Sequence, residues 1–205
     1  MGHAGVAMPF SLPAIPLIDV AAETQARSRQ DSLTKPPGSL GRLEALSIQL
    51  AGITGSVRPS VARKAVIVMA GDHGVTAEGV SAYPATVTPQ MVLNFAHGGA
   101  AINVLARQAG ARVVVVDIGV AADLGAPAGV LVRKVAPGTA NMATGPAMTR
   151  AQAEAAVQVG LEVVADEIER GLDLVATGDM GIGNTTASSA IVATFTGQPV
   201  GVLTG

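Results

Sequence analysis

The chain has 205 residues, 25 of them Gly, 12 Pro and none Cys, with 49% hydrophobic and 14% charged residues. That length can bury a real core as one domain with a small appendage, and the lack of Cys excludes a disulfide scaffold, an iron–sulfur site, a zinc knuckle and a thiol nucleophile. A net charge of −2 with no basic run, one Tyr and no Trp argues against nucleic-acid and anionic-membrane partners and against base-stacking platforms.

The opening, MGHAGVAMPFSLPAIP, has neither a basic region nor a continuous apolar stretch, so it does not read as a leader. Pro9, Pro13 and Pro16 punctuate it, and a polar helix is predicted from Asp19 to Asp31. The adjacent prolines of TKPPGSLGRLE exclude helix there. Ser39 is the predicted cap of a helix reaching Ile53, with Leu40, Leu43, Leu46 and Leu50 on its apolar face. KAVIVMAGDHG is a continuous apolar run closing on Gly71 and Asp72, the pattern of a parallel strand buried on both faces. A long helical segment follows from Thr88 to Gln108, with Pro89 early and Gly110 after its end. ARVVVVDIGV is a second buried strand, and Val130–Val135 a short one. Thr149 caps a helix to Arg170 whose predicted buried face is Ala153, Val157, Leu161, Val164 and Ile168. LDLVATGDMG is a strand of the same type, Asn184–Phe195 a helix, and Pro199–Leu203 a last strand. No apolar run approaches the about 20 residues of a spanning helix. Alternating strands and helices with short connections predict an α/β fold on a parallel sheet, in a soluble, cytoplasmic protein. The chain stops at VLTG, where a buried strand would hand over to its covering helix, so it reads as cut within a unit.

Ligands of open parallel sheets bind beyond the carboxyl ends of the strands. Asp72, Asp117 and Asp179 stand at such ends. The stretch Thr177-Gly178-Asp179-Met180-Gly181-Ile182-Gly183-Asn184-Thr185-Thr186 places glycines at a strand-to-helix junction. Backbone can approach a ligand closely there, and the first amides of the next helix can take a phosphate. The same residues also read as an ordinary glycine-rich turn, and they match neither the Walker loop nor the dinucleotide fingerprint. Asp72 beside His73 suggests an acid orienting an imidazole, although a local structural hydrogen bond is the simpler role. With three His and no Cys, a metal shell would depend on carboxylates, and none is expected. Tyr83, Met91 and Met180 can line a slot for a flat ring, or the methionines can be core filler. There is no G-x-S-x-G elbow for a serine hydrolase.

TKPPGSLGRLE, GDHGVTAEGVSAYPATVTPQMVLNF, the Gly98-Gly99-Ala100-Ala101-Ile102 run, VVVVDIGV and TGDMGIGNTTASSA occur in this order. Together they resemble the family of nicotinate-nucleotide–dimethylbenzimidazole phosphoribosyltransferases, over nearly the whole chain from Leu33 onward. The resemblance implies transfer of phosphoribose from nicotinate mononucleotide to dimethylbenzimidazole, giving nicotinate and α-ribazole phosphate, the precursor of cobalamin's lower ligand. It also implies a homodimer with no metal or redox cofactor, and a Rossmann-like parallel sheet with flanking helices. Residues 1–60 are then the N-terminal part of a small helical domain, and 61–205 a nucleotide- and base-binding α/β domain truncated at its C-terminal end.

By the same resemblance Gly181, Gly183, Asn184 and Thr185 contact the nucleotide, and Tyr83, Met91 and Met180 line the base pocket. Asp179 stands where the family usually carries Glu, keeping the charge but withdrawing it by the length of a methylene. The glutamate taken as general base in the family, and a further glycine-rich phosphate loop, fall beyond residue 205, so the isolated chain is expected to be inactive. Two other readings stay open: the same chemistry with a different flat base, such as adenine or a phenolic ring, and a short non-catalytic nucleotide-binding homologue or subunit.

Overall fold

The computed structural model describes residues 11–204; the lead through Phe10, with His3 and Pro9, and Gly205 lie outside the described residues. The chain divides between Val61 and Ala62 into two compact units.

The first unit is a pair of helices, α1 (Val20–Ser32) and α2 (Arg42–Thr54). Asp19 caps α1, its Oδ1 accepting from the Ala22 amide at 2.9 Å. Small residues let the two helices meet: Ala22 and Ala26 of α1 and Ala51 and Gly52 of α2 are buried. A Cβ at Gly52 would lie 2.6 Å from Ile18 Cγ2 and 2.5 Å from Glu23 Cγ, so a side chain there would displace both. Two expectations change here. Helix α2 starts three residues after Ser39, behind Gly41 at φ 54°, and Ser39 caps nothing. Instead Glu44 Oε1 reaches back to the Leu40 amide (3.1 Å) and to Lys35 Nζ (2.7 Å), which together hold the turn and keep the Glu44 carboxyl below its ordinary pKa. The leucines at three- and four-residue spacing are not the buried face: Leu40, Leu43 and Leu46 are exposed, Leu43 to 65%. α2 carries two apolar stripes, and the one with the smaller residues is the one α1 covers.

The second unit is a four-stranded, all-parallel sheet in the order β3-β2-β1-β4, flanked by helices. Its strands are β1 (Lys64–Gly71), β2 (Ala111–Gly119), β3 (Val130–Val132) and β4 (Leu174–Met180). The α/β architecture read from the sequence is therefore the one observed. Alternation sends Val68 and Ala70 of β1 to one face, against Val92 and Phe95 of α3 (Val87–Ala96), and Ile67 to the other, against Val163 of α5 (Arg150–Glu169). Both faces of β1 are covered, which is why it reads as an unbroken apolar run.

Three predicted elements differ. The helical segment from Thr88 to Gln108 is two helices, α3 and α4 (Ala101–Ala109), parted at Gly98 (φ 76°) and Gly99. Asn103 bridges the break, its Oδ1 accepting from the Ala100 amide and its Nδ2 donating to the Phe95 carbonyl. On α5 the predicted face is met in part: Val164 packs against the core beside Val163, and Ala153 and Leu161 are half-buried, whereas Val157 and Ile168 are exposed and Glu167 is buried. Glu167, 2% exposed, is held by Arg112, at the start of β2, and Arg170, which both donate to its carboxylate. Finally, Pro199–Leu203 is not a strand. α7 (Val200–Leu203) packs on α6 (Asn184–Thr196), and its backbone bonds locally, Thr204 N to Val200 O at 3.0 Å. A strand needs a neighbour's ladder, and among the described residues no strand lies beyond β4 to supply one.

Candidate functional site

The chain leaves β1 for β2 through α3 and α4 on one face, and returns from β3 to β4 through α5 on the other. The strand order therefore diverges between β1 and β4, and the crevice at a topological switch point is where such sheets bind ligands. Two turns meet at that point, Gly71-Asp72-His73 after β1 and Gly181-Ile182-Gly183 after β4. Gly181 is buried, and a Cβ on it would collide with the Gly71 carbonyl oxygen and come within 2.9 Å of the His73 ring. No other residue allows this approach.

The glycine turn is pinned from both sides. The Ile182 amide donates to Oγ1 of the fully buried Thr88 at 3.1 Å, fastening it to α3. Gly183 (φ 84°) precedes α6, whose first residue, Asn184, donates from Nδ2 to Asp179 Oδ2 at 2.6 Å. Asp179 is thus aimed across its own turn toward the helix start. Thr185, one residue further, is exposed.

The turn after β1 is fastened as closely. Asp72 Oδ2 accepts from the Ala121 amide at 2.7 Å, the Asp72 carbonyl accepts from Thr139 N at 3.0 Å, and Gly74 N donates to Thr139 Oγ1 at 3.1 Å. Asp72 is 9% exposed, and its Oδ1 is buried with no hydrogen-bond partner. Burial pushes the pKa of the neighbouring His73 down, while the carboxylates of Asp179 and Asp72 oppose that shift without cancelling it. Asp117, the third strand-end acid, is spoken for: it accepts from the Val120 amide at 2.8 Å and pairs with Lys134 at 3.3 Å.

Between these turns and the start of α5 lies a cavity of about 230 Å³. Met69, Ile118, Val135, Met148, Ala156 and Met180 give it apolar walls, and Asp72, His73, Thr139, Gln152 and Asp179 bring polar groups to it. Of the residues anticipated from the sequence, Asp179 and Met180 line the cavity and Gly181, Gly183 and Asn184 form the adjoining turn. Tyr83 and Met91 are not among the lining residues: Tyr83 is 66% exposed, and Met91 packs against the core between α3 and the sheet. Thr139, Met148, Gln152 and Ala156 carried no motif. Their only signal is that Thr149 caps a helix, which brings Gln152 and Ala156 to the cavity from its first two turns. Among the described residues no group of three or more His, Asp or Glu is placed to hold a metal ion, and no helix is long and apolar enough to cross a membrane.

Comparison with known proteins agrees with this geometry. Residues 15–205 match the model of a family described as phosphoribosyltransferase. The chain is 63% identical over 188 residues to the nicotinate-nucleotide–dimethylbenzimidazole phosphoribosyltransferase of Roseiflexus castenholzii, covering 92% of this chain and 53% of that protein. The protein of that name from Chloroflexus aggregans is 62% identical over 190 residues, 93% of this chain and 54% of its own. In three dimensions the chain superposes on the crystal structure of CobT from Thermus thermophilus with a TM-score of 0.88 and 53% identity, over 90% of this chain and 56% of that one. The chain spans about half the length of these relatives. With the family model matched from the first helix onward and both turns of the switch point in place, the chain belongs to the phosphoribosyltransferase family.

Proposed function

We propose that the protein containing this chain transfers phosphoribose from nicotinate mononucleotide to dimethylbenzimidazole, giving nicotinate and α-ribazole phosphate. The observation that carries the reading is the Gly181–Gly183 turn. It is closed on Gly71 with no room for a side chain, at the sheet's switch point and at the start of α6, in a chain of this family. The backbone amides there, with Asn184 and Thr185, suit the phosphate of a nucleotide. The apolar cavity beside it suits a flat ring.

In the reaction the bond from ribose C1′ to the pyridinium nitrogen breaks, and its electron pair neutralises the departing nicotinate ring. A nitrogen lone pair of the incoming base forms the new bond to C1′, and the proton on the base's other nitrogen passes to a carboxylate. Asp179, next to the turn and tethered by Asn184, is the acid of this chain placed to offset the positive charge that develops on the ribose. We place the protein in the cytoplasm as a homodimer, the latter on family resemblance.

The test uses the protein at its natural length with both substrates. Nicotinate is expected to be released only when nicotinate mononucleotide and dimethylbenzimidazole are both present. Gly181→Ala is expected to lower kcat/KM for the nucleotide at least about tenfold, the effect of losing a well-made contact worth about 1.4 kcal/mol. Binding of the nucleotide with no release of nicotinate would make the protein a binding homologue instead.

A further inference from the structure

We infer that Thr88 is a positioning residue for the proposed reaction: its hydroxyl fixes the Gly181–Gly183 turn from α3 and so aims the amides that follow at the phosphate of the nucleotide. This rests on the reading above and adds to it a residue that lies in neither turn.

Where the hydroxyl goes is the first argument. A Thr near the start of a helix ordinarily spends its oxygen on the amides or carbonyls of that helix. Thr88, the second residue of α3, accepts instead from the Ile182 amide at 3.1 Å, 94 positions along the chain. Thr88 is fully buried, and Val92, one turn further on, packs against Val68 and Ala70 of β1. A β-branched side chain in such surroundings has few rotamers open to it, so the hydroxyl stands on a rigid support.

The turn's need of that support is the second argument. Gly183 stands at φ 84°, and neither it nor Gly181 has a side chain to hold its own backbone in place. The peptide between Gly181 and Ile182 is held at both ends: its carbonyl accepts from Asn184 N at 3.0 Å, and its N–H goes to Thr88. The first helical bond of α6 is Ala187 N to Gly183 O at 3.4 Å, which leaves the amides of Thr185 and Thr186 for an anion. Without the hydroxyl, the half-buried Ile182 N–H would lose its acceptor. Rotating that peptide toward water restores a partner, and the two glycines rotate with it.

The test is steady-state kinetics on the natural-length protein carrying Thr88→Val, which keeps the shape and removes the acceptor, beside Thr88→Ser, which keeps the acceptor. In Thr88→Val the KM for nicotinate mononucleotide is expected to rise about tenfold or more while that for dimethylbenzimidazole stays within about twofold, and Thr88→Ser to lie within about threefold of the parent. A variant that is merely destabilised loses kcat through fewer folded molecules and leaves both KM values alone. An unchanged KM for the nucleotide, an equal rise for both substrates, or a serine variant no better than the valine one overturns the inference. Should Thr88→Val not fold, Thr88→Ala is compared with Thr88→Ser, a pair that differs only in the hydroxyl. The nucleotide KM of the alanine variant is then expected about tenfold above that of the serine variant, and equal values count against Thr88. Should the parent release no nicotinate, the reading of function fails by itself. Thr88 is then judged by calorimetry with nicotinate mononucleotide, which is expected to bind the parent about tenfold more tightly than Thr88→Val. Equal affinity, or no binding to either, would overturn it.

Discussion

Across the boundary between β1 and β4, His73 and Asp179 lie within each other's field while each is held by its own turn. Burial lowers the His73 pKa, and Asp179 is the larger of the two charges that resist. Asp179→Asn removes that resistance, so the His73 pKa should fall further, read from the pH dependence of its ring proton resonances by NMR. A pKa that stays or rises would mean that Asp179 does not face the ring. The sign carries over to stability. A histidine whose folded pKa lies below the unfolded value stabilises the fold fully above the ordinary value of about 6.5, and loses that contribution as pH falls through it. The variant should therefore lose more stability than the parent between about pH 7 and pH 5. That acids and glycines close these strands was legible in the residues themselves. That His73 presses on Gly181 was not, because the two are far apart in the chain and only the pairing of β1 with β4 makes them neighbours.

Helix α5 shows how far local signals reach at the scale of an element. Thr149 caps it as its sequence predicts: its Oγ1 accepts from the Gln152 amide at 3.2 Å, and the Gln152 side chain accepts from the Thr149 amide at 2.8 Å. Thr149→Ala should cost about 1 kcal/mol, within the usual range of roughly 0.5–2 for such caps, measured by urea unfolding. Since the cap also aims Gln152 at the cavity, a loss below about 0.3 kcal/mol would show that tertiary packing alone sets the start of the helix. The buried side of α5 was legible only in part, because apolar spacing alone does not show that Val163 and an ion-paired Glu167 turn inward while Val157 and Ile168 stay exposed. The division of α3 from α4 escaped for a related reason. Apolar spacing continues on both sides of Gly98 and Gly99, and only the Asn103 bridge shows that the chain turns between them.

At the scale of the whole sheet, Arg63 and Asp173 join the entries of β1 and β4 from 110 residues apart. Arg63 donates from Nε (3.1 Å), Nη2 (2.6 Å) and its own amide (2.9 Å) to one carboxylate. This contact draws the Asp173 pKa from 3.8 to about 2. A depressed carboxylate stabilises the fold above its unfolded pKa, and that contribution is lost as pH falls toward the folded value. Asp173→Asn should thus melt lower than the parent near neutral pH, with the gap closing between about pH 4 and pH 2. Because the Arg63 side of the pair is open to water, added salt should narrow it as well. Thermal midpoints measured across that range decide it, and a gap independent of pH would assign the stabilisation to the backbone amide contact alone.

Apolar runs ending in acid and glycine, a cap at Thr149, and a glycine turn before a helix are local patterns. A segment buried on both faces must be continuously apolar, and a helix start must satisfy its own amides. From these the residues by themselves determined the α/β class, the parallel sheet and the two turns at its strand ends. Strand order, by contrast, is a relation between distant segments, and only the tertiary structure decided it. It placed the switch point between β1 and β4 and set Gly181 against Gly71. It brought residues between Val135 and Ala156 that carry no motif to the cavity beside the strand ends, and Tyr83 and Met91 are not among the residues that line it. Which apolar stripe becomes core, and which strand-end acid keeps a free oxygen, depends on what packs against it.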